Sequence, residues 1–307
     1  MLKYIIKRIL IAIPILLGIV LLIFLMLQVV PGDPITLMMK EKANPDVIAN
    51  LTERMHLNDP WYTRFFRYVW DALHGDFGIS YKMKNREVKD MILDAFPNTV
   101  KLTLAGVLVS WAIGIPTGII SAVKRGSVLD NTLMTFALCG ISMPTFWVAI
   151  LFQYIFGHTL HWLPMSGFST FKHLIMPAFV LGWGSSGSIA RMVRTNLLEA
   201  MSNDYIRTAR SKGLKETLVI AKHALKNSMM PVVTMMATQV AGLLSGAVMT
   251  ETIFAIPGLG RISVDAIKNR DMPLLQGTTI FAAALIILGN LVADIAYSFL
   301  DPRIRVN

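Results

Sequence analysis

The chain has 307 residues, 54% of them hydrophobic and 16% charged, a balance too apolar for one soluble domain. Half of its formal net charge of +10 sits in residues 191–228, which hold eight Lys/Arg against three acids; basic residues flanking apolar runs report orientation across a bilayer rather than nucleic-acid binding. The single cysteine, Cys139, lies in an apolar run and excludes an intramolecular disulfide.

In chain order, Lys3, Lys7 and Arg8 precede 22 uncharged residues, 9–30. At helical rise that run spans about 33 Å, enough for a hydrocarbon core of about 30 Å. Val29-Val30-Pro31-Gly32 offers no small-x-small cleavage pattern, so the run reads as an uncleaved first span with its N-terminus inside. Residues 31–99 carry nine Lys/Arg and ten Asp/Glu and read as a long extracytoplasmic loop, since long segments cross largely regardless of charge. Trp61, Tyr62, Phe65, Phe66, Tyr68 and Trp70 argue for short helices on the outer surface, their aromatics serving as packing or interface anchors or as a dock for an external protein.

The second span is expected at 102–123, interrupted by Gly114-Ile115-Pro116, with Lys124-Arg125-Gly126 as an inner turn. The third, 132–156, contains Ser142-Met143-Pro144, where a proline bend lines a pathway or merely packs. The fourth, 174–190, is rich in Gly and Ser and is expected to be central, because small residues let helices approach closely. The fifth, 227–250, carries Gly242 and Gly246 at GxxxG spacing, a weak signal, and the last covers 277–300. The reading is an all-α polytopic membrane protein with six transmembrane helices and both termini cytoplasmic. Apart from the long loop, fifteen Lys/Arg fall on inner segments and four on outer ones, as the positive-inside rule requires. The expected parts are 1–30 (tail and first span), 31–99 (outer loop) and 100–307, a five-helix core with an inner loop at 191–228.

No Gly-x-x-x-x-Gly-Lys-Ser/Thr occurs, so this sequence has no Walker phosphate cradle. Gly184-Ser185-Ser186 could suggest an intramembrane serine protease, but all six histidines fall in expected loops or at their edges. Asp294 is the acid expected well inside a span, with Asn290 and Tyr297 on its face; it is either a polar clamp between subunits or a proton or substrate site. A proton-coupled carrier would want more such acids and inverted repeats.

The most informative stretch is 203–231. Leu198, Met201, Tyr205 and Ala209 recur at helical spacing before Gly213, and Leu214, Leu218, Ala221 and Leu225 after it, which reads as helix, glycine turn, amphipathic helix. By itself this could be a basic juxtamembrane loop that holds topology and touches anionic lipid. Aligned on Gly213, however, it resembles the coupling loop of ABC-importer permeases, with Arg207-Thr208-Ala209 at the Glu-Ala-Ala place and His223-Ala224-Leu225-Lys226 at the Ile-x-Leu-Pro place. Those departures, with Asp204-Tyr205, resemble the dipeptide, oligopeptide and nickel branch.

Further segments carry the same resemblance in order: Pro31-Gly32-Asp33-Pro34, Gly75-Asp76-Phe77-Gly78-Ile79-Ser80, Pro97-Asn98-Thr99, Pro144-Thr145-Phe146-Trp147, Leu163-Pro164-Met165-Ser166-Gly167, Pro257-Gly258-Leu259-Gly260, Arg270-Asp271-Met272-Pro273 and Asp301-Pro302-Arg303. The long first outer loop resembles the B-type permease of such systems. The resemblance implies a translocation subunit without its own catalytic residues, metal or cofactor, with ATP and Mg held by partners. It implies a second homologous permease, two cytoplasmic ATPases, an extracytoplasmic solute-binding protein, and a prokaryotic cytoplasmic (inner) membrane as the site. It places ATPase coupling at Asp204, Tyr205, Arg207, Ala209, Arg210, Lys212, Gly213 and Leu214. Asp294, Asn290, Ser142 and Pro144 are the candidate pathway or intramembrane polar positions. The cargo the resemblance suggests is short peptides, with nickel, glutathione or an oligosaccharide as alternatives.

Overall fold

The computed structural model describes residues 2–29, 58–83 and 86–300, and its regular elements are helices joined by short turns. They are α1 (Leu2–Val29), α2 (Trp61–Leu73), α3 (Val88–Val123), α4 (Val128–Ser142), α5 (Thr145–Phe152, continued by the wider turns of Gln153–Thr159), α6 (Phe171–Ser202) and α7 (Asp204–Ser211). After Gly213 come α8 (Glu216–Leu218), wider turns over Val219–Ala224, α9 (Leu225–Leu244), α10 (Val248–Ile253), α11 (Leu259–Asn269) and α12 (Met272–Leu300).

Two helices among the described residues, α3 and the Met272–Val292 part of α12, are by themselves long and apolar enough to cross a membrane. α4 and α5 meet that standard together as a broken third, bent by 104°. The first expected span holds a shorter apolar stretch of helix, Leu10–Met26, and the fourth and fifth are less apolar for identifiable reasons. In α6 the run of Gly and Ser lowers hydropathy, and in α9 Lys226, Asn227, Thr234, Thr238 and Gln239 do the same.

The element boundaries correct the sequence reading in several places. α3 begins at Val88, well before the span expected at 102–123, and it passes Pro97 and Pro116 unbroken. Gly114 does not interrupt it either. A Cβ there would stand 2.7 Å from the Ser186 carbonyl, so the glycine is required by the close approach of α6. Pro144 does break its span: α4 stops at Ser142, Met143 is extended, and Pro144 starts α5. A Cβ at Gly242 would meet nothing within 4 Å among the described residues, whereas Gly246 (φ 119°) turns the chain into α10.

α6 is the central helix, packed against α3, α4 and α9. Its glycines put backbone against backbone: a Cβ at Gly187 would lie 2.3 Å from the Ala137 carbonyl, and one at Gly182 2.6 Å from that of Gly106. α2 rests on α1 through Phe65 against Phe24, ring centroids 5.5 Å apart, and leaves Tyr62, Phe66 and Trp70 exposed. Long exposed apolar rows on α1 and α3 (Leu17, Leu22, Leu25; Leu104, Leu108) are what a chain solvated by lipid presents.

Candidate functional site

The Asn203 corner ends α6 and starts α7, so the helical pattern expected to run unbroken from Leu198 to Ala209 is cut there. Asn203 is extended (φ −75°, ψ 152°) and no helical hydrogen bond crosses it intact. α7 is rooted by Ile206 and Ala209, which are buried against Leu197 and Ala200 of α6 and Ala122 of α3, together with Val219 and Ala224. Ala209 was expected among the contacts to a partner; its burial makes it part of the root instead, because a side chain enclosed by its own chain offers no surface. Asp204, Tyr205, Arg207, Arg210, Lys212, Gly213 and Leu214 are all exposed, on or just beyond α7.

Gly213 adopts φ 75°, a left-handed conformation disfavoured for any residue with a Cβ, and its amide donates to the Arg210 carbonyl at 2.9 Å. The turn is stapled from outside. Arg210 donates two parallel hydrogen bonds to Glu216, Nε to Oε2 at 3.0 Å and the second guanidinium nitrogen to Oε1 at 2.7 Å. That bond, and secondarily the charge of Arg210, holds the Glu216 carboxyl below the usual carboxylate range. The helix expected directly after Gly213 begins at Glu216 and runs without a gap through the wide turns into α9. The free-standing element is therefore α7 with its turn. The segment after it is the root of the next long helix.

Beneath α7, Arg194 of α6 grips Asp130 at the first turn of α4, Nε to Oδ1 at 3.0 Å and the second nitrogen to Oδ2 at 2.8 Å. Asp130 also accepts from the Gly126 amide at 2.9 Å, and the Ser127 hydroxyl caps α4 by accepting from the Asp130 amide at 3.2 Å.

At the opposite end of the helices, motifs that are far apart in sequence meet around two buried acids. Glu251 of α10 accepts from the Thr99 hydroxyl at 2.8 Å and from the Arg261 amide at 3.0 Å, while Thr99 accepts from the Leu259 amide at 2.8 Å. Glu251 thus supplies the N-terminal acceptor that α11, preceded by Gly258, lacks. Asn98 donates to the Pro257 carbonyl at 2.9 Å, so Pro97-Asn98-Thr99 and Pro257-Gly258-Leu259-Gly260 form one structure. Asp271 is buried likewise. It binds the Ser80 hydroxyl and the amides of Tyr81 (3.1 Å) and Lys82 (3.3 Å), and it precedes α12, joining the Gly75 to Ser80 motif to Arg270-Asp271-Met272-Pro273.

Three of the candidate pathway positions, Ser142, Pro144 and Asn290, are described, and each is exposed. Ser142 returns its hydroxyl to the Leu138 carbonyl at 3.0 Å. The expectation for Asp294 and Tyr297 concerns side chains that lie outside those described. Sequence reasoning missed Glu251, Asp271, Glu216 and the Asp130–Arg194 pair. The first two carried a signal, since each adjoins or belongs to a motif whose partner motif also held an unexplained hydroxyl or amide.

Comparison with known proteins agrees with this geometry. Residues 114–306 match the family model "Binding-protein-dependent transport system inner membrane component", and residues 1–103 match that family's N-terminal model. The chain is 38% identical to the oligopeptide transport system permease protein AppB of Bacillus subtilis over 99% of this chain and 100% of the relative. It is 39% identical to the dipeptide permease DppB of Escherichia coli, covering 99% of each, and 40% identical to that organism's glutathione permease GsiC, again over 99% of each. Among solved structures, the inward-facing MetNI methionine ABC transporter superposes with a TM-score of 0.58 at 19% identity, covering 69% of this chain and 96% of the other. The chain belongs to the family of binding-protein-dependent transport system inner membrane components, the permease subunits of ABC importers.

Proposed function

We propose that the chain is the B-type permease of an ATP-driven importer of dipeptides and oligopeptides in a prokaryotic cytoplasmic membrane. It pairs with a second, homologous permease to enclose the pathway, receives cargo outside from a solute-binding protein, and is driven by two ATPase subunits inside. Those subunits bind ATP and Mg; this chain does no catalysis and binds no nucleic acid. In this reading six spans cross the lipid bilayer, both termini are cytoplasmic, and α10–α11 faces outward.

The observation that carries the reading is the shape of 203–216: a short exposed helix, rooted by Ile206 and Ala209, closed by a left-handed glycine and braced by Arg210–Glu216. A surface loop that only marked topology would need none of these constraints. A docked helix that must transmit force needs all of them, because a mobile loop would absorb an imposed displacement. When ATP draws the ATPases together, α7 moves as a rigid element and the spans rock between inward- and outward-open states. Tyr205, Arg207, Lys212 and Leu214 make the contact, with Asp204 at the helix start.

The test is uptake of a labelled dipeptide by cells lacking the chain and by cells with it restored, with tetrapeptide, glutathione and nickel as unlabelled competitors. Restored uptake that peptides compete and nickel does not establishes the cargo class. The 40% identity to a glutathione permease supports glutathione as the second reading, and that competitor decides it.

A further inference from the structure

The seam between α4 and α6 is close at two glycines. Gly187 faces the Ala137 carbonyl, and Gly140 faces that of Trp183, where a Cβ would stand 2.4 Å away. Such contacts set the distance between the helices, with the Ile141 side chain lying over Gly187 and the Trp183 ring beside Gly140. Hydrogen bonds between the two helices oppose sliding at two places along the described seam. Midway, Trp183 stacks on Phe136 and donates to its carbonyl at 3.0 Å. At the inner end, Arg194 holds Asp130 with both hydrogen bonds, and Asp130 also takes the Gly126 amide of the α3–α4 turn. Asp130 is almost fully buried (3% of its side chain exposed), and Arg194 is 29% exposed.

This inner clamp lies on the route from α7 to the long helices. Ile206 and Ala209 share a buried cluster with Leu197 and Ala200, within two turns of Arg194 on the same helix, and with Ala122, just before the turn that Asp130 holds. α7 therefore packs on α6 and shares a buried cluster with the end of α3, and the clamp ties α4 to α6 beside that cluster. We infer that Asp130 and Arg194 are a positioning pair that fixes the register of α4 against α6 at the inner end, so that displacement of α7 moves α3, α4 and α6 as one body. This rests on the coupling reading of α7. Without the pair, α6 would shift under load while α4 stayed, and ATP would be hydrolysed without moving cargo.

The test uses the complete transporter with its partner subunits in proteoliposomes, measuring labelled dipeptide imported per ATP hydrolysed. Asp130→Asn keeps the shape and loses the charge, and Arg194→Lys keeps a charge and loses the paired geometry. The expected result is a complex that copurifies with its ATPases and hydrolyses ATP at near the wild-type rate. Its import per ATP would be at least about fivefold lower for Asp130→Asn, with Arg194→Lys in between. An unchanged ratio, or uptake and hydrolysis falling in proportion, overturns the inference. If Asp130→Asn does not assemble, Arg194→Lys is judged alone by the same criterion. Arg210→Glu serves as the reference. If it too leaves the ratio unchanged, the coupling reading fails and the inference falls with it; if it lowers the ratio while both clamp variants stay at wild type, the inference alone fails.

Discussion

Glu251→Ala removes the acceptor from two buried donors, the Thr99 hydroxyl and the Arg261 amide. Each orphaned buried donor costs about 1–3 kcal/mol, so the loss is about 2–6 kcal/mol, reduced to the extent that water enters. The same carboxyl limits its neighbour. A Cβ at Gly258 would lie 2.5 Å from Glu251 Cδ and 2.6 Å from each oxygen, so Gly258→Ala forces the acid out of its hydrogen bonds. The two changes therefore overlap, and after Glu251→Ala the space that Gly258→Ala needs is already free. Equilibrium unfolding in mixed micelles should show the double variant more stable than the sum of the singles by about 0.5–3 kcal/mol. Strict additivity would refute the reasoning, since it would mean that Gly258 is destabilised by something other than contact with Glu251.

Gly187→Val should force the α4–α6 seam apart, because the obstructing atom is a backbone carbonyl that cannot rotate away; loss of assembled transporter on native gels checks this, and normal assembly contradicts the seam. Asp271→Ala should remove the acceptor of the Tyr81 and Lys82 amides and uncap α12, costing about 1–2 kcal/mol and exposing residues near 80 to limited proteolysis. Arg210→Glu should weaken the turn at 210–216, and Glu216→Arg added to it should restore amide protection, although a pair exposed to this degree contributes only about 0.2–1 kcal/mol. Because Arg210 lowers the carboxyl pKa of Glu216, the pair stabilises the turn above the ordinary carboxylate range and is lost as pH falls through the lowered value. The protection of the Gly213 amide, its exchange rate relative to the intrinsic rate at the same pH, should fall below that range and with added salt, and a flat protection profile would remove the staple from the account.

The fold was legible where neighbouring residues narrowed what one could do. Gly and Ser in 174–190 meant close helix contact, and α6 lies between α3 and α4; Pro144 meant a break, and the chain bends there by 104°. It was less legible where the same residue has two uses. Gly114 looked like an interruption and is a contact point, which cannot be known before its neighbour Ser186 is placed. At the candidate site, the left-handed Gly213 and the exposed basic surface were readable from the chain. That Ala209 points inward was not, because Asn203 resets the helical phase that would have been used to assign its face. Asp130 and Arg194 lie 64 positions apart and acquire meaning only when the α3–α4 turn lies beside α6.

The central claim is that α7 and its turn dock on an ATPase subunit, and site-specific photocrosslinking tests it most directly. A photoreactive residue at Tyr205 or Leu214, both exposed, should yield an adduct with the ATPase in membranes containing the whole transporter. The same probe at exposed Trp162, in the loop after α5, should yield none. Adducts with lipid alone from both 205 and 214, while the ATPase remains bound, would contradict the account and return the segment to a basic loop lying on the membrane.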